Sequence, residues 1–553
     1  MTESLAKPPE KTRTNSLARI GWIVLILATL YVCYFSHLGA IGFVGPDEPR
    51  YAWIARDMAE TGDWVTPRLY GKPWFEKPPL FYWGAAICFK LFGVSEAAAR
   101  LPSAISALLA TLALAWLALR LYGAETARWL LLLLPTTVGM IGFSHAAATD
   151  MPFSGMLTIA MVWAAVVLRL GLAEEGGASP APTNIATRWA ALIPFGLFLG
   201  LAVLAKGPAA IILCGGAVFF WALFTKRWRD AFRLFHPAAI TAFCVTALPW
   251  YILCARRNPD FFRVFIIEHN FKRYLTPEFQ HIQPFWFYAP VLLIALFPWT
   301  ISCIPLLVRA RRATNRAEWL NSPGLFLGLW AVFPIVFFSF SKSKLPGYIL
   351  PAVLPLGLLL AQGVSLCVLK ILPGDRWIKI GIGLSLITLW IFGVLQVERT
   401  PLVWSAQIVG LGGFAILVVK KLRYGLAISA VAILLAVASS LTGNAREVLD
   451  GRYSARPAVR SAMIVWKDYS PTESSAYKLT RSFQYGLNFY FNRELPEWSP
   501  DRGGPGWVFA LSSAETELRN RGLNCPFNAL RQAMIVCKDP RLAPGAAGGG
   551  KPE

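Results

Sequence analysis

The stretch LFYWGAAICFKLF, residues 80–92, decides how the rest of the chain is threaded. It is apolar, but thirteen helical residues reach only about 20 Å, against a hydrocarbon core of about 30 Å. It also carries Lys90. Two readings stand: a stubby span, or an interfacial helix lying flat on the membrane. The flanking charges arbitrate. If residues 80–92 lie flat, the loops with Lys226, Arg227, Arg229 and Arg233, with Arg309, Arg311, Arg312 and Arg316, and with Lys420, Lys421 and Arg423 all share a side with the basic N-terminus (Lys7, Lys11, Arg13, Arg19). If the segment spans, all three clusters move across. Basic loops favour the cytoplasmic side, so the flat reading is selected.

Outward from that segment, apolar runs at 20–38, 97–121, 128–147, 151–171, 188–205, 208–225, 235–256, 285–307, 323–340, 348–369, 378–396, 401–419 and 425–441 read as membrane helices. About thirteen spans follow. The 553 residues are 56% hydrophobic and only 15% charged, whereas a soluble domain is about 25% charged. A soluble enzyme, a disordered chain and a disulfide scaffold are excluded, and the runs are too long and uniform for a transmembrane β-barrel. The net charge of +22 sits in short loops between apolar runs, so it reads as membrane orientation and not as nucleic-acid binding.

The organisation is then a cytoplasmic segment 1–19, a membrane domain 20–443 with outer loops 39–96 and 257–284, a small α/β domain 444–544, and a flexible tail 545–553. In the α/β domain, Gln484–Phe491, Trp507–Leu511 and Ala533–Val536 read as strands and Ala514–Arg521 as a helix. Cys525 and Cys537 lie in this domain, in an oxidising compartment on this topology, where a disulfide is plausible.

One outer face collects loop 39–96, Asp150, Lys206, loop 257–284 and loop 341–347. The first loop holds Asp47, Glu48, Pro49, Arg50 and Tyr51, in a stiff turn ahead of a helix predicted over Arg50–Glu60, and ends in Glu76-Lys77-Pro78-Pro79. Asp47 is either a helix cap or a working carboxylate, and Asp150 has the same two readings. Lys206 either snorkels to the interface or binds substrate. Arg256, Arg257, Arg263, Lys272 and Arg273, with Lys342 and Lys344, crowd the face where orientation rules do not call for cations, which suits a phosphate ligand. Glu76 and His269 form a weak metal signal, without a close histidine pair.

The stretches Gly45-Pro46-Asp47-Glu48-Pro49-Arg50-Tyr51 and Phe75-Glu76-Lys77-Pro78-Pro79 resemble the first periplasmic loop of the protein-mannosyltransferase-like family of integral-membrane glycosyltransferases. Arg100-Leu101-Pro102-Ser103, Asp150, Ala205-Lys206-Gly207-Pro208, Glu268-His269-Asn270 and Ser343-Lys344-Leu345-Pro346-Gly347-Tyr348 extend the likeness over most of residues 20–440. Within the family it is strongest to the aminoarabinose-transferase branch.

The resemblance implies a GT-C fold of thirteen membrane helices in the bacterial inner membrane. The implied donor is an undecaprenyl-phosphate-linked aminosugar and the implied acceptor a phosphate of lipid A, with no nucleotide sugar, nucleic acid or obligatory protein partner. It maps essential acidic positions onto Asp47 and Asp150, with Glu48 beside them. Carrier-phosphate contacts fall on Lys77, Arg273 and Tyr348, with Lys206, Arg50 and Tyr51 in the same polar region. The resemblance calls for no particular cofactor and leaves a divalent metal open, since relatives in the superfamily often use one. Two alternatives keep the same residues: transfer to a protein, core-sugar or other glycan acceptor, and a polyprenyl-phosphate transporter, which would show related halves and mid-membrane charges.

Overall fold

The computed structural model describes residues 16–170, 185–272, 282–305, 320, 322–395, 404–405, 407–412, 422–440, 443–499, 506–525 and 533–540. Its first half runs through α1 (Ser16–Tyr34), α2 (Asp47–Thr61), the two-residue strands β1 (Arg68–Leu69) and β2 (Lys72–Pro73), α3 (Leu80–Phe92), α4 (Glu96–Tyr122), α5 (Ala124–Leu133), α6 (Val138–Ser144), α7 (Asp150–Val167), α8 (Ile185–Lys206), α9 (Ala209–Thr225), α10 (Trp228–Phe232) and α11 (Pro237–Arg257). A π-helical stretch, Arg263–Lys272, follows. Then come α12 (Tyr288–Ala295), α13 (Pro323–Ser339), α14 (Leu350–Val368), α15 (Asp375–Leu395) and α16 (Leu422–Ser440). The C-terminal unit holds α17 (Gly443–Tyr453), α18 (Arg456–Val465), β3 (Ser474–Tyr477), α19 (Arg481–Phe491), β4 (Trp507–Leu511), α20 (Glu515–Asn520) and β5 (Met534–Lys538).

Among the described residues, four helices are long and apolar enough to cross a membrane, or five if α5 and α6, bent by 62°, count as one. Most of the other expected spans are shorter apolar helices, and 401–419 lies largely outside the described residues. The expected span 128–147 is broken because Pro135 interrupts it and Thr137 restarts the helix, its hydroxyl accepting from Met140 N. Within the bundle, buried polar groups pair across helices. Tyr34 bonds Thr111 at 2.8 Å, and Trp299 Nε1 donates to Thr136 Oγ1 at 2.8 Å. In an apolar bundle such pairs add adhesion and satisfy groups that water does not reach.

Helix α3 has 13 residues and is one of the shorter apolar helices. It buries Phe81, Tyr82, Ala85, Ala86 and Phe89 and leaves Leu91 and Phe92 exposed. Two boundaries differ from expectation. The helix expected from Arg50 starts at Asp47, so both acids lie in its first turn, where the helix dipole favours negative charge, and Pro49 is accommodated there. Residues 484–491 are helix and not strand. Phe483, Leu487, Tyr490 and Phe491 recur at helical spacing onto one apolar cluster, and this period prevails over the apparent alternation.

The C-terminal unit is α/β, with sheet order β3-β4-β5, β3 parallel to β4 and β4 antiparallel to β5. Cys525 and Cys537 are disulfide-bonded. The unit docks on the segment 39–96 through buried polar groups. Arg456 bonds Asp450 and Glu96 and donates to the carbonyls of Gly39 and Ala40. Asp450 also accepts from Gly42 N at 2.7 Å, and Asn488 reaches Tyr70 Oη at 2.9 Å. Helix α19 therefore forms a wall of the loop that carries Asp47.

Candidate active site

Glu48 and Asp47 are neighbours in sequence with opposite fates. Glu48 is buried and its two oxygens accept from Arg100 Nε (3.0 Å), Arg100 Nη2 (2.8 Å), Val44 N (2.8 Å) and Ala147 N (2.6 Å). Arg100 spends its remaining hydrogens on the carbonyls of Leu38, Ile41 and Gly42. A buried ion pair satisfied on every side is a scaffold element. Four bonds occupy the two Glu48 oxygens, so none of its lone pairs is left facing a substrate. Its partner Arg100 was visible in sequence only as part of an Arg-Leu-Pro-Ser motif.

Asp47 has a side chain 50% exposed and does not cap its helix. Its carboxylate bonds Arg50 Nη2 at 2.5 Å, and Arg50 Nη2 also bonds Glu76 at 2.9 Å. Lys77 Nζ lies 3.6 Å from the other Glu76 oxygen. Loss of solvation raises the Asp47 pKa; Arg50 opposes this, Glu76 adds to it, Lys77 opposes it, and Asp150 adds to it. That set of influences places Asp47, Arg50, Glu76, Lys77 and Asp150 in one electrostatic neighbourhood. Glu76 holds the Arg50 guanidinium firmly charged despite burial.

Asp150 opens α7 and forms an ion pair with Lys206, the last residue of α8. Lys206 Nζ also stands 4.7 Å from the ring centroid of Tyr348 and 5.4 Å from that of Phe153. The turn bearing Tyr348 comes this close because residue 347 is glycine: a Cβ there would sit 2.7 Å from Asp150 Oδ1. The acid, the lysine and the tyrosine of three distant segments thus form one cluster.

Other expected residues are placed differently. Tyr51 is 3% exposed and packs edge-on against Tyr82, so it belongs to the loop core. Arg257 pairs with Asp63, and Arg263 pairs with Asp260 and Glu268 at the surface. The buried Lys344 ammonium donates to the carbonyls of Gln283 and Ser341 and so shapes its own loop. Arg273 and the side chain of His269 lie outside the described residues. Glu76 is paired with Arg50 and lies 3.6 Å from Lys77, and among the described residues no group of three or more His, Cys, Asp or Glu stands close enough to share a metal ion.

Sequence reasoning missed two contributors. Tyr82, in α3, has a buried hydroxyl with no hydrogen-bond partner among the described residues, beside Glu76, Arg50 and Asp47. Tyr485 of the C-terminal unit lies 5.9 Å from the Arg50 guanidinium, which also contacts the rings of Trp74 at 5.5 Å and Tyr51 at 5.2 Å. Only the docking of α19 brings Tyr485 there.

Residues 20–265 match the family model described as dolichyl-phosphate-mannose-protein mannosyltransferase. The chain is 34% identical to the undecaprenyl phosphate-alpha-4-amino-4-deoxy-L-arabinose arabinosyl transferase of Edwardsiella ictaluri over 349 residues, 62% of this chain and 59% of that protein. It is 36% identical to a second protein of that name in Sodalis glossinidius over 358 residues, 64% of this chain and 59% of that protein. The aligned part thus spans less than two thirds of these relatives' length. The crystal structure of ArnT from Cupriavidus metallidurans bound to undecaprenyl phosphate superposes with a TM-score of 0.72 at 27% identity, covering 94% of this chain and 98% of that one. The archaeal oligosaccharyltransferase AglB from Archaeoglobus fulgidus shares the fold at a TM-score of 0.50, with 13% identity, over 92% of this chain and 71% of that one.

A helical membrane bundle of this form, with acids and lysines gathered at one end, is a GT-C fold. Within that class the chain is similar to the protein-mannosyltransferase-like family over residues 20–265 and to the aminoarabinose transferases over about two thirds of its length.

Proposed function

We propose that this chain transfers 4-amino-4-deoxy-L-arabinose from undecaprenyl phosphate to a phosphate of lipid A. In this reading it works at the periplasmic face of the bacterial inner membrane, on about thirteen membrane helices, with the C-terminal α/β unit on the same side. The observation that carries the reading is the likeness, over nearly the whole chain, to the structure bound to undecaprenyl phosphate, combined with the Asp47–Arg50–Glu76–Lys77 and Asp150–Lys206–Tyr348 clusters.

The chemistry follows from these groups. The bond between sugar C1 and the carrier phosphate oxygen breaks, and its electron pair leaves with undecaprenyl phosphate. An ionised oxygen of the acceptor phosphate attacks C1 from the opposite side, with inversion. No proton moves, so no general base is needed. Lys77 and Lys206 stabilise the growing charge on the leaving phosphate in a site partly shielded from water. Tyr348 orients the Lys206 ammonium through its ring face. Asp47, half exposed, receives the sugar's ammonium group, and Asp150 steers Lys206.

The test is mass spectrometry of lipid A from cells that make the carrier-linked aminosugar but lack their own transferase. Expression of this chain adds one aminopentose to lipid A, and Lys77→Ala weakens carrier-lipid binding. Unmodified lipid A, with the aminosugar found on a protein or another glycan, would reassign the acceptor. Carrier movement without sugar transfer would favour the transporter.

A further inference from the structure

Helix α9 contains a glycine that its packing does not explain. Gly215 lies mid-helix, where glycine is less favourable than alanine, yet a Cβ built on it would meet nothing within 4 Å. The space in front of it is a groove of about 530 Å³, bounded by Gly215, Ile211 and Phe219 of α9, Leu199 of α8, Phe243 of α11 and Phe235. Its lining is almost wholly apolar. On α9, residues 211, 215 and 219 share one face at four-residue spacing, so the groove runs along the helix.

Trp228, Phe232 and Phe235, from the basic stretch that follows α9, also line the groove. Thr225 ends α9, and Lys226, Arg227, Arg229 and Arg233 follow. Asp230 binds Arg227 and Arg233. Lys226 and Arg229 are exposed and have no ion-pair partner among the described residues. Beside them the aromatic rings of Phe219, Trp228, Phe232 and Phe235 form a connected series with centroids 5.5, 6.5 and 6.4 Å apart, and Phe232 and Phe235 are 65% and 68% exposed. Aromatic side chains with exposed cations at the end of an apolar helix mark the headgroup level of a bilayer.

We propose that this groove is a binding site for an anionic diacyl phospholipid, with an acyl chain lying over Gly215 and the phosphate against Lys226 and Arg229. The sugar donor is a poor occupant. Its phosphate belongs with Lys77 and Lys206, and Lys206 lies across α9 from Lys226, about 25 Å away by helix rise. The lipid site is therefore separate from the proposed reaction, and its test does not depend on activity.

The full chain, purified and stripped of lipid, is offered phosphatidylglycerol, phosphatidylcholine of the same chains, or undecaprenyl phosphate, and retention is read by native mass spectrometry. The wild type is expected to retain phosphatidylglycerol over phosphatidylcholine, and each neutralised cation (Lys226→Gln, Arg229→Gln) to cost about fivefold of that preference. Gly215→Leu fills the groove and should lower retention of both phospholipids. Should that variant fail to stay monodisperse, the two charge variants decide the matter alone. Equal retention of the two phospholipids by the wild type, an unchanged preference in both charge variants, or displacement of phosphatidylglycerol by undecaprenyl phosphate overturns the proposal.

Discussion

Asp150 and Lys206, 56 residues apart, close an ion pair between the first residue of one helix and the last of another, beneath which lies the ring of Tyr348. The lysine is thereby aimed and not merely present. Asp150→Ala releases it, and Asp47→Ala removes the carboxylate assigned to the sugar's ammonium. Each variant is expected to lose at least about 100-fold in transfer rate, the scale on which positioned electrostatic groups act. Lipid A mass spectrometry alongside size-exclusion chromatography separates this from misfolding. Wild-type transfer by either variant would remove that residue's role.

Glu48 and Arg100 make the opposite prediction. Glu48→Ala leaves a buried guanidinium without its carboxylate, and about 3–5 kcal/mol of stability is lost. Arg100→Met made together with Glu48→Met costs less than the sum of the single changes, because no charge is stranded. Thermal unfolding in detergent measures both effects. A catalytic Glu48 would instead lose activity with stability intact.

The pH dependence of Asp47 has a definite sign. Its folded pKa lies above the ordinary value of 3.8, chiefly through lost solvation. Ionisation therefore costs the folded state: the stabilising contribution is full below the unfolded value and disappears as pH rises through the folded one. Asp47→Asn should be more stable than the wild type at neutral pH, with the difference closing as pH falls towards about 4. Activity runs the other way. Transfer by the wild type falls on acidification at a pH above that of an ordinary aspartate, and this is read from kcat/KM for the donor.

Arg456 joins the C-terminal unit to the segment 39–96 through Asp450, Glu96 and two backbone carbonyls. Arg456→Ala is expected to leave the α/β unit folded, with Cys525 and Cys537 still protected from alkylation, but to expose the junction to protease. Transfer should fall because Tyr485 no longer faces Arg50. An unchanged cleavage pattern would show that the docking does not depend on this residue.

Much of this protein was legible in its residues. Apolar run length and the placement of basic loops set the membrane class and identified residues 80–92 as too short to span, because bilayer thickness and charge transfer act on local composition. The motifs around Asp47, Lys77, Asp150, Lys206 and Tyr348 stood out in the same way, since proline-bounded acids and cations at the ends of apolar runs are unusual wherever they occur, and the structure gathers them into two clusters. Tertiary structure alone decided which of two neighbouring acids stays accessible. Asp47 and Glu48 have the same chemistry in sequence, and only the approach of Arg100 from α4 saturates one of them and leaves the other half exposed. Residues 484–491 could alternate or spiral, and packing against the C-terminal core chose the helix that carries Tyr485 to Arg50. Composition and period are local properties that a sequence displays. Saturation of a carboxylate and the covering of a guanidinium depend on partners tens to hundreds of residues away, and these become neighbours only when the chain folds.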